Sequence, residues 1–156
     1  MKYIVAIDIG GTTFNSGIFS QSMNQVASSD KDKIRNYGDK DSVINAIIEQ
    51  VNNLIAESNI ERSDIIGVGI GAPGPLDAKK GVILKTPNLT IFQDYKIASD
   101  FTKKLKLDTF IENDANLFAL GEWYSQYKEN KVTVGITLGT GLGFGLVING
   151  ELFVGG

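Results

Sequence analysis

The sequence predicts an α/β fold with a mixed sheet. Three observations carry that expectation. Residues 3–20 form an apolar, strand-like run that turns on glycine and comes back as a second apolar run. Residues 43–55 repeat isoleucine, valine and leucine at helical spacing. The end of the chain, from residue 132, repeats the first pattern, so hairpins stand at both ends with helices between them.

Each element follows in turn. Residues 2–9 and 14–20 make the first hairpin, and residues 25–29 extend it as a third strand. The stretch 31–41 is polar and reads as a loop. Val43, Ile44, Ile47, Ile48, Val51, Leu54 and Ile55 then define one helix face, with Asp41 or Ser42 as its cap. Residues 65–70 return to strand, and Gly67, Gly69 and Gly71 at alternate positions bare one of its faces for a close neighbour. Pro73 and Pro75 stiffen the turn "GAPGPLD". A short strand at 82–84 leads into "TPNL", a helix covers 97–105, and a strand starts at Thr109. Residues 115–127 form the last helix, with Leu117, Phe118, Leu120 and Tyr124 on its apolar side. Strands at 132–138, 145–149 and 152–154 close the chain.

Composition narrows the chemistry. A length of 156 residues suffices for a domain with a real core, and the net charge of −3 with scattered lysines points away from nucleic acid or anionic membrane. There is no cysteine and no histidine. Disulfides, thiolate zinc and every histidine-based catalytic arrangement are therefore excluded within this chain. Apolar runs fall well short of a membrane span and no signal peptide precedes Met1, so a cytoplasmic protein is expected.

The chemical interest begins at "DIGGTT", residues 8–13. A P-loop would need Gly-Lys-Ser/Thr, which is missing; a dinucleotide fingerprint would open a helix, whereas Phe14 onward reads as a strand. A carboxylate beside phosphates is repulsive unless a cation lies between them. Mg²⁺ takes one or two carboxylates together with waters and phosphate oxygens. Asp8 next to Gly10, Gly11, Thr12 and Thr13 thus suits a metal-bound nucleotide, and equally suits an ordinary tight turn with a solvated aspartate. The strand–turn–strand pattern of "AIDIGGTTFNSGIF" is echoed by "GITLGTGLGFGLVI", a second glycine–threonine turn that would clamp phosphates from another side. Between them, "IENDAN" sets Glu112, Asn113 and Asp114 where a strand meets a helix. Asn or Asp there can cap the helix. An Asp there can also take the proton of a sugar hydroxyl as it attacks phosphorus, chemistry that depends on positioning more than on a strong base.

Together, "DIGGTT", "GAPGPLD", "TPNL", "ENDANLFALGEW" and "TLGTGLGFGLVINGELFVGG" resemble the sugar kinases of the ROK family (repressor, open reading frame, kinase), over essentially the whole chain and in order. That resemblance implies the actin-like ATPase fold, related to ribonuclease H, which hexokinase and the heat-shock chaperone ATPases share. It implies ATP-dependent phosphorylation of a hexose or N-acetylhexosamine at the 6-hydroxyl. Carried over by position, Asp114 is the catalytic base. Asn88 and Asn113 hold sugar hydroxyls, and the turn with Gly71 and Gly74 walls the sugar pocket. Gly10, Gly11, Thr12, Thr13, Gly139, Thr140, Gly141 and Gly143 hold the phosphates of ATP, with Asp8 on Mg²⁺. The family often has lysine or asparagine where Thr13 stands, and continues "TPNL" with proline and tryptophan where this chain reads "TIFQDY".

The resemblance also implies a domain at 1–130 and the start of a second, similar one at 131–156. The family's later Gly-Glu-x-Gly-His segment, cysteine-rich zinc loop and adenine-binding half lie outside these residues. The chain is therefore expected to be an N-terminal portion, inactive by itself, of a protein that is homodimeric when complete. Two other readings stand beside the kinase: a sugar-sensing transcriptional regulator of the same family, and a non-catalytic ATPase-fold binding module.

Overall fold

Alternation along the first strand decides how the sheet is built. In β1 (Tyr3–Ile9), Val5, Ile7 and Ile9 are buried while the positions between them are half-buried or exposed. That is the period of a strand with one face on a core. The computed structural model describes residues 1–139 and 141–154. The described residues include strands β1 to β11 and helices α1 to α3, and they group into two compact units.

The first unit, Met1–Ile111, carries a mixed sheet of order β3–β2–β1–β5–β8. β2 (Thr13–Ser20) returns antiparallel beside β1, with Ile9 opposite Phe14, and β3 (Gln25–Ser28) adds the edge. β5 (Ile65–Ala72) lies parallel to β1, and β8 (Thr109–Asn113) lies beyond it. A parallel neighbour requires a crossover, and α1 (Lys40–Glu57) supplies it. Val43, Ile44, Ile47, Val51, Leu54 and Ile55 of α1 are buried with the apolar side chains of β1, β2 and β5 in one cluster, as the helical spacing predicts.

The cap of α1 differs from the expected Asp41 or Ser42. Asp39 is the cap: its carboxylate accepts from the Ser42 amide at 2.8 Å and the Ser42 hydroxyl at 3.0 Å. The helix starts two residues earlier because a side chain three residues ahead of Ser42 reaches its orphan amide. The polar stretch 31–41 is also not all loop. β4 (Asp32–Lys33) pairs antiparallel with the start of β2, and one turn of 3-10 helix follows at Ile34–Asn36. Further on, β6 (Leu76–Asp77) and β7 (Val82–Ile83) form a small hairpin. α2 (Ile97–Leu105) buries Ile97, Phe101 and Leu105 and stops at Lys106, whose φ is 54°.

Residues from Glu112 onward group as the second unit. α3 (Asp114–Gln126) thus belongs with β9 (Val132–Leu138), β10 (Leu142–Ile148) and β11 (Glu151–Leu152), whereas the division expected from sequence falls after it. Glycine explains the grouping. A Cβ on Gly135 would lie 2.8 Å from the Ala119 Cα, and one on Gly145 2.6 Å from the Ala115 carbonyl oxygen. Only bare backbone lets α3 settle this closely on the strands. β10 begins at Leu142, earlier than expected, and turns into β11 through Asn149 and Gly150, with φ of 51° and 84°. Two consecutive positive φ values are the signature of the tight hairpin turn that favours Asn-Gly. Among the described residues no helix is long and apolar enough to cross a membrane.

Candidate active site

In the first unit, the C-terminal ends of the parallel pair β1 and β5 gather most of the singled-out residues. In open α/β sheets this end of the strands is where ligands bind. Asp8, exposed near the end of β1, sits opposite Asn15 of β2 on one side and Gly71 of β5 on the other. The turn that follows is drawn tight by the Gly10 amide donating to the Thr13 carbonyl at 2.8 Å. Gly11 lies against the next loop: a Cβ there would stand 2.8 Å from the Asn88 carbonyl oxygen. Asn88 itself is exposed. Two residues before it, the buried Thr86 donates its hydroxyl to the Gly74 carbonyl at 2.8 Å. Asp8, Gly10, Gly11, Thr12, Thr13, Gly71, Gly74 and Asn88 are thereby linked through four loop ends of one unit.

The donor set in this unit suits a hard, hydrated cation that arrives with phosphates. Among the described residues no group of three or more His, Cys, Asp or Glu could hold a metal by itself. Asp8 with glycine amides and threonine hydroxyls is therefore no stand-alone metal cage. It fits Mg²⁺ that keeps its waters and shares phosphate oxygens.

In the second unit the strand-to-helix corner divides two tasks between neighbours. Asn113 caps α3, its side-chain oxygen accepting from the amides of Ala115 at 3.1 Å and Asn116 at 3.3 Å. Glu112, to which sequence reasoning gave no separate task, braces the corner by accepting from the Asn113 amide at 2.8 Å and the Asn116 side chain at 3.0 Å. Asp114 is the first helical residue and is exposed. One of its oxygens accepts from the Ala115 amide at 2.8 Å. A carboxylate at this end of a helix is favoured by the axial dipole.

The second glycine turn separates into two kinds of glycine. Gly139 and Gly141 are exposed, a Cβ on either would meet nothing within 4 Å, and the Gly139 amide donates to the Gly141 carbonyl at 3.0 Å. Gly143 has a packing reason, because a Cβ there would stand 2.7 Å from the Thr137 hydroxyl oxygen and 3.0 Å from the Ala115 Cβ. Thr140 lies outside the described residues.

One feature near the first turn escaped the sequence. A cavity of about 420 Å³ is lined by Gly11, Thr12 and Thr13 together with Lys33, Ile34 and Arg35. The cations come from a stretch with no periodic pattern, and only the pairing of β4 with β2 brings them there.

A family model described as the ROK family matches residues 4–156. The chain belongs to the ROK family. This ROK family member is 34% identical over 156 residues to a glucokinase of Thermotoga maritima, covering 97% of this chain and 46% of that protein. To an N-acetyl-D-glucosamine kinase of Pectobacterium atrosepticum it is 35% identical over 145 residues, covering 92% and 45%. A xylose repressor of Caldicellulosiruptor bescii is 28% identical over 153 residues, covering 97% and 38%. Among solved structures, a ROK family glucokinase from Streptomyces griseus in complex with glucose and AMPPNP superposes with a TM-score of 0.83 at 28% identity, covering 98% and 46%. The fold is thus the actin-like ATPase fold of ROK structures, and the chain spans about half the length of the curated relatives it matches.

Proposed function

We propose that the protein to which these residues belong transfers a phosphoryl group from ATP to the 6-hydroxyl of a hexose or an N-acetylhexosamine. The single observation that carries this reading is the division of labour at the corner of β8 and α3. Asn113 accepts from the amides of Ala115 and Asn116, and one Asp114 oxygen only shares the Ala115 amide, so the cap by itself does not call for a carboxylate at the exposed position 114. Two sugar kinases among the relatives, one for glucose and one for N-acetylglucosamine, support the substrate class and keep both sugars in view. The AMPPNP in the Streptomyces griseus glucokinase supports the nucleotide.

In this reading Asp114 accepts the proton of the attacking hydroxyl while Asn88 and Asn113 orient the sugar. Gly10 and Gly139, whose amides close their own turns, shape the two phosphate cradles. The amides of Gly11 and Gly141 with the hydroxyls of Thr12, Thr13 and Thr140 receive the phosphates, while Gly143 keeps the second cradle close to its helix. Asp8 would hold Mg²⁺, which when bound neutralises charge on the phosphate oxygens. The protein's own contribution is alignment, since phosphoryl transfer has a loose transition state that gains mostly from positioning and charge.

The test is ADP release by the whole protein across a panel of hexoses and N-acetylhexosamines, with Asp114→Asn beside the parent. Turnover should depend on one sugar of the panel and fall by about 10²–10⁴-fold in the variant, with sugar affinity little changed. A protein that binds a sugar, never turns over ATP and releases DNA on sugar binding would instead be a regulator, the reading to which the xylose repressor among the relatives points.

A further inference from the structure

A turn meant for phosphates that contains no cation must find positive charge elsewhere or work without it. Of residues 10–13, Gly11, Thr12 and Thr13 bring amides and hydroxyls, and Gly10 spends its amide on closing the turn. The chain brings the missing charge from the segment that follows β3. β4 lies antiparallel to the start of β2 with Lys33 opposite Thr13 and Asp32 opposite Phe14. The Ile34 amide donates to the Thr12 carbonyl at 2.9 Å, so the next residue is stitched to the turn as well. Ile34 is buried, which anchors the segment in the core and leaves its two neighbours, Lys33 and Arg35, exposed.

Between turn and segment lies the cavity of about 420 Å³, within the about 300–1,000 Å³ usual for small-ligand sites. Its walls hold two cations, two threonines, one glycine and one isoleucine, and no acid. Asp32 is adjacent in sequence, yet its carboxylate is occupied. It accepts from the Lys33 amide at 2.6 Å, the Asn36 side chain at 3.0 Å and the Tyr37 hydroxyl. Those bonds all stay within residues 32–37. Among the described residues no ion pair engages the Lys33 ammonium or the Arg35 guanidinium.

We propose that Lys33 and Arg35, with the amides and hydroxyls of Gly11, Thr12 and Thr13, form a subsite for a phosphate group of the phosphoryl donor. Guanidinium can take two phosphate oxygens at once, and ammonium serves as a point charge beside it. This subsite deepens the kinase reading and rests on it for the identity of the donor, though not for the binding of phosphate itself.

The experiment therefore measures phosphate binding without turnover. Inorganic tripolyphosphate is titrated into the whole protein by calorimetry, for the parent, for the double variant Lys33→Gln with Arg35→Gln, and for Lys33→Arg alone. The double variant is expected to bind about tenfold more weakly, the loss of two exposed charge-assisted contacts, and Lys33→Arg to bind like the parent. Parent binding should weaken as salt is raised. The donor KM of the double variant should rise by about the same factor while sugar binding, followed by intrinsic fluorescence, stays put. A melting temperature equal to the parent's separates lost binding from lost folding. Tripolyphosphate affinity unchanged in a folded double variant would overturn the subsite even if the enzyme proves a kinase. Charge-dependent tripolyphosphate binding by a protein that phosphorylates no sugar would support the subsite and sink the kinase reading alone.

Discussion

Asn113 and Asp114 are neighbours of similar size, and their environments ask different things of them. Two amide bonds hold Asn113, so Asn113→Ala should cost about 1 kcal/mol of stability, the usual worth of a helix cap, whereas Asp114→Asn should leave the melting temperature near the parent's and act on turnover. Thermal unfolding of both variants separates the roles; a stability loss confined to Asp114→Asn would reverse them. A second pair allows a pH prediction. The Tyr37 hydroxyl, donating to Asp32, holds that carboxyl below the usual carboxylate range, and Asp32 in turn pushes Tyr37 up to about 12. A carboxyl depressed in the folded state contributes stability above its unfolded value and loses it as pH falls through the folded one. Tyr37→Phe should therefore raise the Asp32 midpoint toward the ordinary value, read as the carboxyl carbon shift in an acid titration. An unmoved midpoint would remove Tyr37 as the cause. None of this was legible beforehand, since Asp32 and Tyr37 lie in a stretch that reads only as polar loop.

At the scale of elements, α3 on β9 and β10 is the most demanding fit. Gly145→Ala should cost about 1–3 kcal/mol through overpacking, because the added Cβ has the Ala115 carbonyl, the Asn116 Cα and the Ala119 Cβ all within 2.9 Å. Denaturant unfolding of this variant beside Gly139→Ala, where a Cβ meets open space, checks it. Equal stability of the two would mean the helix sits further out. The long elements were readable because their spacing is long enough to declare itself: the apolar face of α1 and the alternation of β1 are both found as expected. The two-residue β4 was not, because backbone pairing makes it and no side-chain pattern marks it. The cap of α1 was missed by two residues, since Asp39 and Asp41 are chemically alike and only backbone direction chooses between them. The second glycine turn was read for phosphate alone, while Gly143, as well as Gly135 and Gly145, answers to a helix or a neighbouring strand.

For the whole molecule, the first unit buries a large apolar cluster, and the second exposes apolar residues on one face of its sheet. Ile136 faces Phe144 and Leu138 faces Leu142 across β9 and β10, and all four are exposed, Leu138 at 85%. Contiguous apolar surface of this kind recruits partners. Residues 1–156 expressed by themselves should bind an apolar reporter dye and sediment as more than a monomer. Replacing Ile136 and Phe144 by threonine, which keeps strand propensity, should reduce both signals. A monomer that leaves the dye dark would show that this face does not attract. The family was legible because its motifs fall in order along the whole chain, whereas the cations of the proposed phosphate subsite depend on a tertiary pairing that no motif records.

Gly11 and Asn88 meet backbone to backbone, with no side chain between them to absorb a shift. Under the proposed roles one belongs to the donor and the other to the acceptor sugar. A substrate that fixes either loop thereby narrows the motion of the other, and the second substrate meets a loop already ordered. The two occupancies then become thermodynamically linked, and reciprocity makes the factor by which sugar sharpens nucleotide affinity the same factor by which nucleotide sharpens sugar affinity.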